Sequence, residues 1–147
     1  MIDVTNIRDI MSKDLKTVDL SNNVFDVAML MKNHDIGFVP VVDKGKLIGV
    51  VTDRDLVIRG FANKKTDVST IEEVMTKGNR SISPDMSIED AADQMAKQKV
   101  RRLTVVENGN LVGVVALADL AVRQISEDKA GQALSEISEN VDHSVLQ

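Results

Sequence analysis

The hydrophobic pattern of this chain is written twice. Apolar residues fall at Val24, Val27, Ala28 and Met31, and again at Ile88, Ala91, Ala92 and Met95. The spacing i, i+3, i+4, i+7 marks one face of a helix. Asn23 and Ser87 stand just before these faces, with Asp26 and Asp90 three residues on, which predicts a capped helix start. Apolar runs follow at Phe38–Val42 and Leu103–Val106, short enough to be buried strands. Next come Asp43-Lys44-Gly45-Lys46 and Glu107-Asn108-Gly109-Asn110, both turn-like. Lys46–Val51 and Asn110–Val115 then read as the returning strands of two hairpins. A second helix is expected from about Asp53 and from about Leu117. Short extended pieces at Lys16–Val18 and Arg80–Ile82 precede the first helices. Each copy reads β-α-β-β-α.

Sliding the chain by 64 residues lays 7–59 on 71–123 without a gap, and sixteen of the 53 pairs are identical. An ungapped match of that length is the mark of a duplication. The expected domains are 7–63 and 71–126, joined by the polar segment 60–70. Residues 127–147 predict a short helix followed by a polar tail. One unit of this size buries little core by itself. The fold expected is therefore α/β (α+β), with the two repeats packed in pseudo-twofold symmetry.

Composition narrows the function classes. The chain has 147 residues, no Trp or Tyr and only three Phe, so its core must be aliphatic. The net charge of −5 argues against non-specific nucleic-acid binding, which needs a cationic surface. With no cysteine, thiolate nucleophiles, disulfides and Cys-ligated metals are excluded. No basic segment followed by an apolar run opens the chain, and no apolar stretch approaches the roughly 20 residues that span a bilayer. A cytoplasmic protein is expected. Its two histidines, His34 at a helix end and His143 in the tail, form no catalytic constellation. Asp53 and Asp55 are too close in sequence to share a helix face. No enzyme and no metal site is expected.

The sharpest repeat is a phrase: GVVTDRDL over Gly49–Leu56 and GVVALADL over Gly113–Leu120. Thr52-x-x-Asp55 lies where a strand passes into a helix. A capping box explains it, with the hydroxyl closing the helix and the acid favoured at the positive end. A ligand role explains it too. Backbone N–H groups at a helix start favour an anion, a Thr hydroxyl adds a donor, and a carboxylate can accept from a ribose diol. Ala116 cannot cap through its side chain, yet Asp119 remains, which predicts two unequal sites. Both roles stay open.

At these residues the chain resembles a pair of CBS domains, the repeat named after cystathionine β-synthase. The likeness rests on the β-α-β-β-α order and on the phrase GVVTDRDL. It rests further on Val39-Pro40-Val41-Val42-Asp43 and the paired starts Ile7–Met11 and Ile71–Met75. It spans roughly residues 7–126, and the arrangement is similar to that of small bacterial proteins built of two such domains (Bateman modules). The resemblance implies an adenosine-containing ligand such as AMP, ADP or ATP, held in the cleft between the domains, with no cofactor required. It implies that Asp55 and Asp119 bind ribose and that Thr52 binds phosphate. Thr17 with Val18, and Ser81 with Ile82, would line the adenine pocket. So would Phe38, Val39 and Pro40, and in the second copy Arg102, Leu103 and Thr104.

Two departures stand out. The family often carries a basic residue three before the Pro; the first copy has Gly37 there and the second has Arg101. Thr104 replaces Pro40. Arg54 points either at phosphate or at solvent. Two functions are therefore expected of the chain. One is a regulatory nucleotide-binding module. The other is a ligand-independent dimerisation module that pairs through Leu56–Phe61 and Leu120–Ile125. A homodimer is expected in either case, and the downstream partner is unassigned.

Overall fold

The computed structural model describes residues 6–77, 81–123 and 133–137. In chain order the elements begin with α1 (Ile7–Ile10), α2 (Val24–His34), β1 (Phe38–Asp43) and β2 (Lys46–Thr52). A short turn of helix, α3 (Asp53–Asp55), runs into a π-helical turn at Leu56–Gly60 and 3-10 turns at Phe61–Asn63 and Ile71–Glu73. The second repeat supplies β3 (Ser81–Ile82), α4 (Ile88–Gln98), β4 (Arg102–Glu107), β5 (Asn110–Ala116) and α5 (Leu117–Arg123). Residues 133–137 are helical, while the rest of 127–147, including His143, lies outside the described residues.

The spatial units are not the sequence repeats. One unit holds residues 15–77 with 109–111; the other holds 6–14 with 81–108, 112–123 and 133–137. The segment that opens each repeat is thus built into the unit of the other. Thr76 exchanges backbone hydrogen bonds with Val50, the two N···O distances being 2.8 and 3.0 Å. Ser12 does the same with Val114 at 2.8 and 3.1 Å. These exchanges explain two glycines of the repeated phrase. A Cβ on Gly49 would fall 2.8 Å from the Thr76 carbonyl oxygen, and one on Gly113 would fall 2.5 Å from the Met11 sulfur.

In the unit of residues 15–77, β1 and β2 form an antiparallel hairpin, with a bulge between Val41 and Val42. Lys44 and Gly45 both have positive φ, 52° and 84°, which fits the twist of a two-residue hairpin loop. Val18 bridges Val41 in parallel, and Lys46 pairs with Asn110. Asn23 caps α2 by accepting from the Asp26 N–H at 2.9 Å. The core gathers Val18, Val27, Met31, Val39, Val41, Val51, Ile71, Val74 and Met75.

The other unit repeats this plan. Ser81 and Ile82 run parallel to Thr104 and Val105, and Asn108 takes a positive φ just before Gly109, the glycine that belongs to the first unit. Ser87 caps α4 by accepting from the Asp90 N–H at 3.0 Å. Its core includes Ile7, Ile82, Ile88, Met95, Leu103, Val105 and Leu120, closed by Ala133 and Ile137. Both cores are aliphatic, as the near absence of aromatic residues requires.

The helix expected from Asp53 departs from the α form after three residues. The Phe61 N–H is shared between the Val57 carbonyl four residues back, the α-type bond, and the Leu56 carbonyl five residues back, the π-type bond. Two adjacent β-branched residues, Val57 and Ile58, and then Gly60 are poor α formers. A π turn absorbs the misfit, a form that occurs often at functional sites. Leu117–Arg123 in the second repeat stays α-helical.

Candidate functional site

The strand-to-helix junction of each repeat carries the chemistry. In the first, the Thr52 hydroxyl oxygen accepts from the Asp55 N–H at 3.1 Å, and an Asp55 carboxylate oxygen accepts from the Thr52 N–H at 3.0 Å. This is a complete capping box, and it leaves the Thr52 hydroxyl proton available to donate. The Asp55 carboxylate has more partners. The Thr76 hydroxyl donates to it, 3.1 and 3.2 Å from its two oxygens. Arg59 stands 4.0 Å away and donates to the Met75 carbonyl at 2.8 Å. The Asp55 side chain is only 12% exposed.

The second junction keeps half of this arrangement. An Asp119 oxygen accepts from the Ala116 N–H at 3.0 Å. The side-chain bond that both copies keep is therefore acid to backbone N–H, which needs no threonine hydroxyl. Among the described residues no other partner reaches Asp119. A carboxylate offers about four acceptor positions, so Asp119 retains acceptor capacity that Asp55 has largely used.

The residue before each first strand bonds to the helix that follows. The Gly37 carbonyl accepts from the Asp53 N–H at 3.1 Å, and the Arg101 carbonyl accepts from the Leu117 N–H at 2.8 Å. Gly37 has a second consequence. The Asp53 carboxylate lies over it, 2.8 Å from where a Cβ would be. The Arg54 N–H donates to that carboxylate at 2.8 Å. Arg54, Arg101 and Arg102 are exposed, and none of them pairs with an acid among the described residues.

The other candidates divide by burial. Val18, Val39, Ile82 and Leu103 are buried core side chains, so only their backbones can meet a ligand. Pro40 is buried, and its carbonyl accepts from the Val18 N–H at 3.1 Å. Thr17 is exposed and Phe38 half-buried. Thr104 is a buried hydroxyl whose oxygen lies 2.8 Å from that of Ser81. A hydroxyl pair thus replaces the Thr17–Pro40 arrangement of the first copy. The structure gathers Thr17 to Asp55 in one unit and Ser81 to Asp119 in the other.

Three contributors were not evident from the motif: Thr76, Arg59 and Asp53. The signal for Thr76 lay in the repeat, since a hydroxyl residue follows the methionine in both copies, as Ser12 and Thr76. Arg59 and Arg123 were likewise an identical pair. Among the described residues no group of three or more His, Asp or Glu is arranged to hold a metal ion. No helix there is long and apolar enough to cross a membrane.

Comparison with known proteins follows the same division of the chain. The CBS domain family model matches twice, over residues 7–60 and 71–125. The CBS domain-containing protein YhcV of Bacillus subtilis is 42% identical over 135 residues, 92% of this chain and 96% of that protein. The CBS domain pair of MJ0100, solved with 5′-methylthioadenosine and S-adenosyl-L-methionine, has a TM-score of 0.74 at 29% identity. That match covers 85% of this chain and 99% of the other. CBSX2 in complex with AMP has a TM-score of 0.73 at 27% identity, covering 84% of this chain and 98% of its own.

Proposed function

Since this chain belongs to the CBS-domain family over both of its repeats, we propose that it is a regulatory module binding an adenosine-containing nucleotide of the AMP, ADP or ATP kind. The observation that carries this reading is the aspartate kept at both strand-to-helix junctions. Its backbone bond, Thr52 N–H to Asp55 or Ala116 N–H to Asp119, fixes the carboxylate. A fixed carboxylate suits a ribose diol, and Asp119, with fewer partners than Asp55, has more acceptor positions to offer one. The adenosine ligands of MJ0100 and CBSX2 support the same ligand class here. The module works without chemistry of its own. A ligand that prefers one arrangement of the protein shifts the population toward it, and a partner reads the shift.

The test is a thermal-shift titration with AMP, ADP, ATP, S-adenosylmethionine and NADH. A ligand at about 100 times its Kd stabilises a one-site protein by roughly 2.7 kcal/mol, which moves Tm visibly. A rise with an adenylate supports the reading, and no rise with any of the five sinks it.

Exposed apolar side chains favour a second, compatible role. Val57, Ile58 and Phe61 all project from the helical segment after the first junction, and Phe61 is 83% exposed. Val122, at the position of Ile58 in the second repeat, is 79% exposed. Such residues suit a homodimer contact. Light scattering at micromolar concentration should give a dimer for wild type and a monomer for Phe61→Asp; a monomeric wild type would refute this role.

A further inference from the structure

Two of the three phenylalanines stand outside the core of the unit of residues 15–77. Phe25 is 51% exposed and Phe61 is 83% exposed. Each belongs to an apolar patch. Leu20 and Val68 are exposed with Phe25. Leu20 lies in the turn that leads into α2, and the Phe25 N–H donates to the Asp67 carbonyl at 3.1 Å, which brings Val68 alongside. Val57 and Ile58 are exposed with Phe61. The second repeat has Pro84 and Glu89 where the first has Leu20 and Phe25, so the fold of a repeat does not require the apolar pair. The two patches carry opposite charge. From Thr17 to Met31 there are two acids, Asp19 and Asp26, and no base. Asp67 adds a third carboxylate where its backbone meets Phe25. From Leu56 to Thr66 there are three bases, Arg59, Lys64 and Lys65, and no acid. Glu73 matches Lys65 at 3.0 Å. Lys64 and Asp67 are exposed, and neither pairs with an opposite charge among the described residues.

We propose that these patches are the two halves of one self-association surface: the basic Phe61 patch of one copy packs on the acidic Phe25 patch of a second copy. About a two-fold axis the contact is made twice, each copy giving one patch and receiving the other. This rests on the homodimer role above and names the faces that meet. An exposed aromatic anchor edged by charge has the composition of an interface core with its rim. Charge decides the pairing. A Phe61 patch meeting its own copy would set Arg59 and Lys64 against Arg59 and Lys64, a like-charge contact that disfavours it. Against the Phe25 patch the same bases meet Asp19, Asp26 and Asp67. A foreign peptide of either sign would use one patch only. Both signs on one chain, each beside an exposed phenylalanine, point to a second copy of this chain.

The experiment is sedimentation of the full chain as wild type, as Lys64→Glu, as Asp67→Lys, and as an equimolar mixture of the two variants. Both side chains are exposed, so neither change touches a core. The dimer Kd should rise by about tenfold or more in each variant alone, because each sets like charges together at both contacts. In the mixture each contact regains one acid and one base, and a dimer with a Kd close to that of wild type should reappear. If the Phe61 patch met its own copy instead, Lys64→Glu would relieve a repulsion and tighten the dimer. A Lys64→Glu dimer as tight as wild type or tighter, or a mixture no stronger than its two components, overturns the pairing and leaves the homodimer to another face. A monomeric wild type removes the homodimer role itself, and this inference with it.

Discussion

Asp55 and Asp119 occupy the same position of a repeated phrase and make the same bond to the backbone N–H three residues earlier. Around that shared bond the two junctions have diverged. Asp55 is enclosed by Thr52, Thr76 and Arg59, and a second carboxylate, Asp53, stands beside it over Gly37. Asp119 has Ala116 and Leu117 at the matching places, with Arg101 and Arg102 at the strand end. One copy has turned its acid toward holding the fold together. The other keeps only the backbone bond on its acid and has two arginines at the strand end. A duplicated motif is therefore not two copies of one function, and the partners of the shared residue decide which task it performs.

The next position of the phrase gives the largest expected contrast. Leu120 is fully buried whereas Leu56 is half-buried. Leu120→Ala should cost about 2–5 kcal/mol, the usual range for a core leucine. Leu56→Ala should cost less, about 1–2 kcal/mol by the area it leaves exposed. Urea unfolding of the two variants compares them directly, and equal losses would mean that the cores are closed alike.

Next come the phrase's glycines. Gly49→Ala would press a methyl against the Thr76 backbone carbonyl, and Gly113→Ala against the movable end of Met11. Overpacking costs about 1–3 kcal/mol, with Gly49 at the upper end because a backbone cannot swing aside. A larger loss at Gly113 than at Gly49 would show that the two leading segments are not seated as described.

The caps give a smaller effect. Thr52→Ala should lose about 1 kcal/mol, as for other helix caps, and Ala116→Thr should recover a comparable amount by completing the second capping box. If Ala116→Thr brings no gain in Tm, the second junction lacks the backbone geometry of the first.

The smallest effect concerns the segments that open the repeats. Glu73 accepts from the Thr70 N–H at 2.9 Å, and Asp9 accepts from the Asn6 N–H at 3.2 Å. The Lys65 ammonium, together with that Thr70 bond, holds the Glu73 carboxyl below the usual carboxylate range. A lowered folded value means stability that is present above the unfolded value and lost as pH falls through the folded one. Wild type should therefore be slightly more stable than Glu73→Gln at neutral pH, with the difference vanishing in acid. A difference that grows in acid would contradict the sign. Because the pair is exposed, salt should weaken it.

The periodic elements were legible in the sequence because local chemistry decided them. Helices α2 and α4 begin where Asn23 and Ser87 allow a side-chain cap. The hairpin loops turn where Gly45 and Gly109 permit positive φ. The strands each run one residue or so beyond the apolar core of the pattern, as at Asp43 and Arg102, where pairing outlasts burial. The π turn after Asp55 was not legible, because a helix-like run with Val57, Ile58 and Gly60 does not announce its hydrogen-bond register. The exchange of leading segments was also hidden. The expected domains 7–63 and 71–126 put Ile7 and Ile71 in their own repeats, whereas packing places Ile7 in the core of the second repeat and Ile71 in that of the first. The candidate acids were found through the repeat, but the role of Asp53 was not, since it depends on the empty space above Gly37.

The most direct test is the affinity of AMP for wild type and for Asp119→Ala, each checked for native circular dichroism. The expected result is binding to wild type and a loss of about tenfold or more in the variant, the value of hydrogen bonds to a charged group. Equal AMP affinity in the two folded proteins would contradict it, for the open aspartate would then hold no ribose.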